Sequence, residues 1–157
     1  MKKTLLLLFT AACLPAFAQI VNIPDATFKT ELLSTNTQGT GLVKAYNSTG
    51  DAIKIDANND NEIQASEAQS VWRLSVDTYT INDLTGISAF TNIRKLLVLT
   101  NAASLNLTAL THLEELDCSS MPHLSTLNIA GLTSLKNLNC SGTEVTALAL
   151  QGMVNLQ

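Results

Sequence analysis

The residues best suited to chemistry lie in the stretch 56–67, where oxygen-bearing side chains recur at alternate positions. Asp56, Asn58 and Asp60 occupy its first, third and fifth positions, and Glu67 closes it at the twelfth. A tight loop turns alternate side chains to one side, and a terminal glutamate can supply two oxygens. Calcium takes roughly six to eight oxygen ligands, so this spacing predicts a calcium site.

Two further positions shape this loop. Ile63, at the eighth position, would anchor it to a core. The sixth position normally requires a glycine with positive φ, and Asn61 stands there, the next most tolerant residue type. The alternative interpretation is a turn rich in Asn and Asp that leads into a helix near Ser66.

The loop resembles the calcium loops of EF-hand and dockerin-like modules. The resemblance implies that Asp56, Asn58, Asp60 and Glu67 bind through their side chains, Glu62 through its carbonyl, and Gln64 through water. Because there is one such loop, we expect a structural calcium that stiffens the join between an N-terminal cap (19–70) and the repeats that follow it (71–157), rather than a paired sensor.

Catalytic chemistry has weaker support. His112 and His123 flank Cys118 in the sequence, but the Cys118 side chain is expected to point into a core, away from any base. The chain has no zinc motif, phosphate-binding loop or nucleotide fingerprint. The sequence therefore predicts that the protein is not an enzyme.

A repeat organises the second half of the chain. Apolar residues separated by two and then one position begin at Val71, Ile93, Leu113, Leu135 and Leu156, at intervals of 22, 20, 22 and 21 residues. A second apolar group recurs in each unit, with Leu105, Leu107 and Leu110 as one example. A helix bundle would not restart its pattern at this interval, so stacked repeats are favoured.

These units resemble leucine-rich repeats, and the run 81–93 resembles the internalin-like class of secreted bacterial surface proteins. The resemblance implies an α/β solenoid, a horseshoe segment with a parallel β-sheet on its concave face. The ninth position of a repeat in this family is usually Asn. Asn101 has that residue type, whereas the ninth positions of the other units hold Tyr79, Met121 and Thr143. The turns are therefore expected to be less regular.

Side chains alternate along a strand, so the polar positions between the repeated Leu residues should face outward. They form three predicted rows across the sheet: Arg73, Lys95, Glu115 and Asn137; Ser75, Leu97, Asp117 and Asn139; and Asp77, Leu99, Ser119 and Ser141. The apolar pair Leu97 and Leu99 would be a contact centre unless the cap or a loop covers it. Lys95 and Glu115 are expected to be neighbours.

Two cysteines fall in the inward-facing column of Val76 and Val98. Cys118 and Cys140 would be close enough for a disulfide, but side chains on parallel strands point the same way. Buried free thiols are therefore the favoured interpretation.

The first half of the chain predicts an exported protein with a cap. Residues 1–18 have a signal-peptide pattern, with Lys2, Lys3 and the cleavage motif Ala16-Phe17-Ala18; the alternative is lipidation at Cys13. Residues 19–70 would form a small, mainly helical cap over the repeats. We expect a helix from Pro24 and Asp25, with Phe28, Leu32 and Leu33 on one face, and a loop over 35–50.

The predicted organisation is thus a signal peptide (1–18), a cap (19–70) containing the loop 56–67, and about four leucine-rich repeats (71–157), incomplete at their C-terminal end. No closing cap follows Gln157, which suggests a fragment of a longer protein. A dimer stacked through that end is a less favoured alternative, and a monomer is expected if a C-terminal cap exists.

Charge narrows the class of partner. Removing residues 1–18 leaves seven basic and thirteen acidic residues, a net charge of −6. Such a chain is a poor match for nucleic acid or anionic membranes. We therefore expect a secreted or cell-surface adhesion module that binds an extracellular protein or glycan; the alternative is an accessory repeat module of a larger secreted enzyme.

Overall fold

The computed structural model describes residues 19–157. The predicted signal peptide (1–18) and the alternative lipidation at Cys13 lie outside the described residues. Within residues 19–157, no helix is long and apolar enough to cross a membrane.

The N-terminal segment begins with the predicted helix. Helix α1 (Ala26–Leu33) starts at Asp25, whose carboxylate accepts the Phe28 N–H, and it buries Phe28 and Leu32. A second helix, α2 (Ala65–Ala68), has only four residues. With 12 helical residues between 19 and 70, the prediction of a mainly helical cap is not confirmed.

An antiparallel hairpin occupies part of the segment expected to be a loop. Strand β1 (Val43–Tyr46) pairs with β2 (Ala52–Ile53), so the prediction of a loop over 35–50 was wrong at 43–46. Val43 and Ala45 are buried and alternate with half-buried residues. A four-residue strand between polar turns is too short to give a clear pattern in sequence.

The repeats build a parallel sheet next to this hairpin. Its strands are β3 (Arg73–Asp77), β4 (Lys95–Leu99), β6 (Glu115–Asp117) and β8 (Asn137–Asn139), and a second sheet pairs β5 (Ser104–Asn106) with β7 (Thr126–Asn128). Strand β1 runs antiparallel to β3, giving the order β2-β1-β3-β4-β6-β8. The hairpin thus extends the repeat sheet and covers its first edge.

The repeats form a mostly-sheet solenoid of about three turns. Between residues 71 and 157, the return side contains a 3₁₀ helix (Ile87–Ala89) and the short strands β5 and β7, without an α-helix. The α/β horseshoe shape is therefore not confirmed.

The core follows the repeated apolar columns. The first residue of each complete unit is fully buried: Val71, Ile93, Leu113 and Leu135. Burial of such a side chain contributes about 1.5–3 kcal/mol, and every unit needs its neighbours to achieve it. The same core continues into the cap through Val43, which pairs with Val76.

A polar ladder also joins the units, at a different position from the expected Asn. The residue before the first apolar position reaches back to the preceding unit: Asn92 Nδ2 donates to Gln69 O (2.7 Å) and Asn155 Nδ2 to Thr133 O (3.2 Å). His112 Nδ1 lies 3.2 Å from Thr91 O. These contacts satisfy turn carbonyls in an array where only Asn101 supplies an Asn at the ninth position.

Candidate functional site

The open face of the parallel sheet brings the predicted binding residues together. Arg73 pairs with Lys95, Lys95 with Glu115, and Glu115 with Asn137, so the first predicted row is continuous across four strands. In the second row, Ser75, Leu97, Asp117 and Asn139 are aligned in the same way. The Leu-x-Leu spacing therefore predicted both the register and the outward positions.

A shallow groove of about 600 Å³ lies along these two rows. The side chains that line it include Arg73, Lys95, Leu97, Glu115, Asp117, Asn137, Asn139 and Gln157. Leu97 is half-buried and lies near the middle of the groove. Ser75 is only 6% exposed although it faces outward, so it contributes little surface.

The third predicted row is present only in part. Asp77 pairs with Leu99, but β6 and β8 end before Ser119 and Ser141, which lie in turns. The shorter strands follow from Asx turns: Asp117 Oδ1 accepts the Ser119 N–H (3.0 Å), and Asn139 makes the equivalent bond to Ser141 (3.2 Å). The prediction that Ser119 and Ser141 extend the sheet was wrong.

The cap enlarges this face by one strand, which the sequence did not reveal. On β1, Tyr46 pairs with Arg73 and Lys44 with Ser75, so both extend the rows of the repeats. Leu42, which is 47% exposed, accepts the Asp77 N–H on the same edge. Leu97 and Leu99, on β4, are separated from this strand by β3 and remain half-exposed, so the cap does not cover them.

Charges on this face are separated along its length. The hairpin end has Lys44, Arg73 and Lys95 with one carboxylate, Asp77 on β3, whereas Glu115 and Asp117 lie on β6. Lys95 Nζ is 2.7 Å from Glu115 Oε1, which confirms the expected neighbours, and the side chains are 56% and 44% exposed. An ion pair this exposed stabilises the fold little.

A second charged row borders the face at the start of the strands. The Arg94 guanidinium lies 4.7 Å from the centroid of the Trp72 ring, and Glu114 binds both Arg94 and Lys136. The hydrogen bonds from Lys136 and Arg94 lower the pKa of Glu114. This row links four successive strands and acts as a structural rim rather than as part of the groove.

The two described cysteines are unbridged. Cys118 is buried and Cys140 half-buried, so the prediction of buried free thiols is confirmed for the first and only partly for the second. Burial, with a smaller effect of Cys140, raises the pKa of Cys118 to about 12. A thiol that stays protonated is a poor nucleophile.

The loop 56–67 is closed by its own hydrogen bonds. Asp60 Oδ1 accepts the Glu62 N–H (2.8 Å), and Asn58 Oδ1 accepts the Asp60 N–H (2.9 Å). The Glu67 carboxylate accepts backbone N–H groups from both ends of the loop, at Ala57 (2.8 Å) and at Gln64 (3.0 Å). The buried Asp56 lies beside Lys54, with an Oδ2–Nζ distance of 3.7 Å.

The loop fits calcium in part. Its oxygen donors are of the right type, and Asn61 has φ +65°, the left-handed conformation expected at the sixth position. Within residues 19–157, however, no three His, Cys, Asp or Glu side chains are close enough to share a metal ion. Amide groups of Asn58 and Gln64 point at Asp60 Oδ2, where a cation would compete with them.

Comparison with known proteins agrees with the repeat architecture. The family model of the endo-β-N-acetylglucosaminidase EndoS LRR domain matches residues 64–157. A search of curated protein sequences gave no match. Among solved structures, one titled as CBM51-2 in complex with GlcNAc and INT domains from Clostridium perfringens ZmpB is 19% identical, with a TM-score of 0.37. The alignment covers 71% of this chain and 17% of that one.

The family match includes β3, β4, β6 and β8, and thus all four parallel strands that carry the predicted rows. It begins at Gln64, so α1 and the hairpin lie outside it. The chain belongs to the leucine-rich-repeat domain family of EndoS.

Proposed function

We propose that the chain is a non-enzymatic binding module that recognises an extracellular protein or glycan through the open face of its parallel sheet. The observation that carries this proposal is the alignment of Arg73, Lys95, Glu115 and Asn137 across four strands, beside a groove of about 600 Å³. Concave sheets of stacked repeats are rigid, extended surfaces suited to macromolecules.

A binding role fits the chemistry of the described residues better than catalysis does. His112 and His123 are exposed on turns, and the Cys118 thiol is buried with a raised pKa. An acyl-transfer site would need a nucleophile and base within hydrogen-bonding reach of each other. Cys118 instead contacts a backbone carbonyl, that of Asn139, at 3.5 Å.

A second candidate is an accessory module of a larger secreted enzyme. It is favoured by the family match, which is to the repeat domain of an endo-β-N-acetylglucosaminidase. In that role, the groove would hold part of a glycan or glycoprotein substrate near a catalytic domain. Export through the predicted signal peptide and a location outside the cell are consistent with both candidates.

We also propose that the loop 56–67 takes a structural calcium through Asp56, Asn58, Asp60, Glu62 and Glu67. Support comes from the donor spacing and from the left-handed Asn61. The loop lies against the start of the described chain, where the Val21 N–H binds Ile63 O (2.8 Å) and the Ala65 N–H binds Gln19 O (2.8 Å). Calcium would therefore stiffen the cap as a whole.

The binding proposal is tested by probing the chain on peptide and glycan arrays. Leu97→Arg places a long cation in the middle of the groove, and Asn106→Arg places the same side chain on an exposed position of β5, on the other sheet. We expect specific signals that Leu97→Arg removes and Asn106→Arg retains. Signals that survive both substitutions, or no signals at all, would reject the groove as the binding site.

A further inference from the structure

We infer that the hairpin end of the groove is an anion subsite, and that the groove takes an extended polypeptide segment with a carboxylate side chain at that end. This inference rests on the proposed function, since it specifies the chemistry of the ligand at the same face. Three observations support it: the excess of cations at the hairpin end of the groove, the stacking of Arg73 on the Tyr46 ring, and the apolar Leu97 near the middle of the groove.

The cation excess stands out in an acidic chain. Lys44, Arg73 and Lys95 lie on three adjacent strands, β1, β3 and β4, and Arg73 is directly opposite Lys95. Neighbouring strands lie roughly 4.8 Å apart, so like charges in register repel each other. Of these three cations, Lys95 forms an ion pair, with Glu115. Among the described residues, no carboxylate lies within 4.0 Å of the charged groups of Lys44 and Arg73.

The Arg73 side chain is positioned by the Tyr46 ring and is exposed to a ligand. Its guanidinium lies 4.8 Å from the centroid of the Tyr46 ring, while the residue as a whole is exposed. Stacking leaves the edge of the guanidinium, with its N–H donors, available to a carboxylate. The exposed Lys95–Glu115 pair is weak enough for Lys95 to turn to the same anion.

The remaining surface favours a polypeptide over a sugar chain. No aromatic side chain is among the residues that line the groove, and the Tyr46 ring beside it is covered by Arg73. A sugar ring would thus lack a stacking platform. Half-buried Leu97 offers an apolar contact instead, and Asp117, Asn137 and Asn139 offer hydrogen bonds at the far end.

The length of the face sets the size of the segment. From β1 to β8 there are four gaps between strands, or roughly 19 Å at about 4.8 Å each. An extended polypeptide rises about 3.3 Å per residue, so about six residues span the face. We therefore expect an acidic residue near one end, an apolar residue near the middle and polar residues beyond it.

The test is binding of the chain to an array of random heptapeptides, with oligogalacturonate as a soluble anionic saccharide competitor. We expect the bound peptides to be enriched in Asp and Glu, and to bind at least about tenfold more weakly when these are replaced by Asn and Gln. Arg73→Gln should abolish the preference for acidic peptides. Lys29→Gln, on helix α1, is the matched control and should retain it.

The possible outcomes separate the two proposals. Peptides whose binding depends on Leu97 but not on their own charge, or not on Arg73, would overturn the anion subsite and leave the binding face intact. Displacement of the peptides by oligogalacturonate at equal carboxylate concentration would replace the polypeptide with an acidic glycan and overturn the inference. Absence of peptide binding by the wild-type chain would overturn the inference, whereas absence of signals on both the peptide and the glycan arrays would reject the proposed function itself.

Discussion

The Asp25 carboxylate accepts the N–H of Asn82 at 2.9 Å, across 57 positions of sequence. The same carboxylate accepts the Phe28 N–H (3.0 Å) at the start of α1 and the Asp83 N–H (3.1 Å) in the first repeat. One side chain thus begins the cap helix and fastens the cap to the solenoid. The contact joins α1 to the first repeat, while β1 is held at the hairpin end of the groove by its own pairing with β3.

Asp25→Ala should therefore destabilise the protein by about 1 kcal/mol or more, because an N-cap is lost together with the acceptor for two repeat amides. Asp25→Asn, which keeps an acceptor oxygen, should cost less. Chemical denaturation measures both values. Asp51→Ala, in an exposed turn of the cap, is the control and should change stability less than Asp25→Ala. Equal effects at the two positions would contradict the fastening role.

Acid should weaken the same contact. Burial raises the pKa of Asp25, but the hydrogen bonds from Phe28, Asn82, Asp83 and Thr27 outweigh it and lower the pKa below the usual 3.8. The carboxylate form is thus preferred in the folded state, so its stabilisation is present above pH 3.8 and is lost as the pH falls through the lowered value. The stability gap between wild type and Asp25→Asn should narrow below pH 3.8, and a constant gap would contradict this.

Gly86 should not tolerate a side chain. It has φ +106°, and an added Cβ would lie 2.7 Å from Ile23 Cγ1 and 2.9 Å from Asn22 O. Gly131 is the matched control, since it has φ +81° with nothing within 4 Å of its Cβ position. Gly86→Ala should lower the free energy of unfolding by about 1–3 kcal/mol more than Gly131→Ala, because only the former forces the cap away. Similar losses of unfolding free energy at the two positions would show that only the strain of a side chain at positive φ matters, and would contradict the close contact of Gly86 with the cap.

The charged rim gives a prediction that depends on pH. Lys136 and Arg94 lower the pKa of Glu114 from 4.5, so its ion pairs stabilise the fold above about pH 4.5 and are lost as the pH falls through the lowered value. Glu114→Gln should cost at most on the order of 1 kcal/mol at pH 7, and this cost should become smaller as the pH falls below 4.5. The fluorescence of Trp72, the single tryptophan, follows the unfolding. Glu144→Gln, at an exposed position, should show no such dependence on pH.

Calcium should raise the melting temperature of the chain, with an affinity of about 10⁻⁴ to 10⁻³ M. Asp60→Asn should abolish the shift, because it removes a charge from the loop while keeping an acceptor for the Glu62 N–H. Asp51→Asn removes a charge outside the loop and should leave the shift unchanged. No shift in the wild-type chain would reduce the loop to the hydrogen-bonded turn that Glu67 closes.

Much of the repeat architecture could be predicted because each stacked unit has the same spacing of apolar residues. Leu74, Leu96 and Leu116 lie in one column, so spacing alone fixed the register of β3, β4 and β6 and the outward rows. The cap lacks such repetition. Tyr46 and Lys44 belong to the face because they lie on β1, a strand too short to be predicted from its sequence pattern. Its partner β3 is about 30 residues away in sequence. The ends of β6 and β8 were missed because Asp117 and Asn139 hydrogen-bond to their own turns.

Carboxylate footprinting tests the central claim, that the open face of the parallel sheet binds a macromolecule. The chain is labelled with a carbodiimide and an amine, with and without the strongest array-selected probe, and the modified residues are read by mass spectrometry. We predict protection of Glu115 and Asp117, which line the groove, and unchanged labelling of Asp83 and Glu144, which are exposed elsewhere. Protection of Asp83 or Glu144 with Glu115 and Asp117 still labelled would place the binding site on another surface and contradict the account.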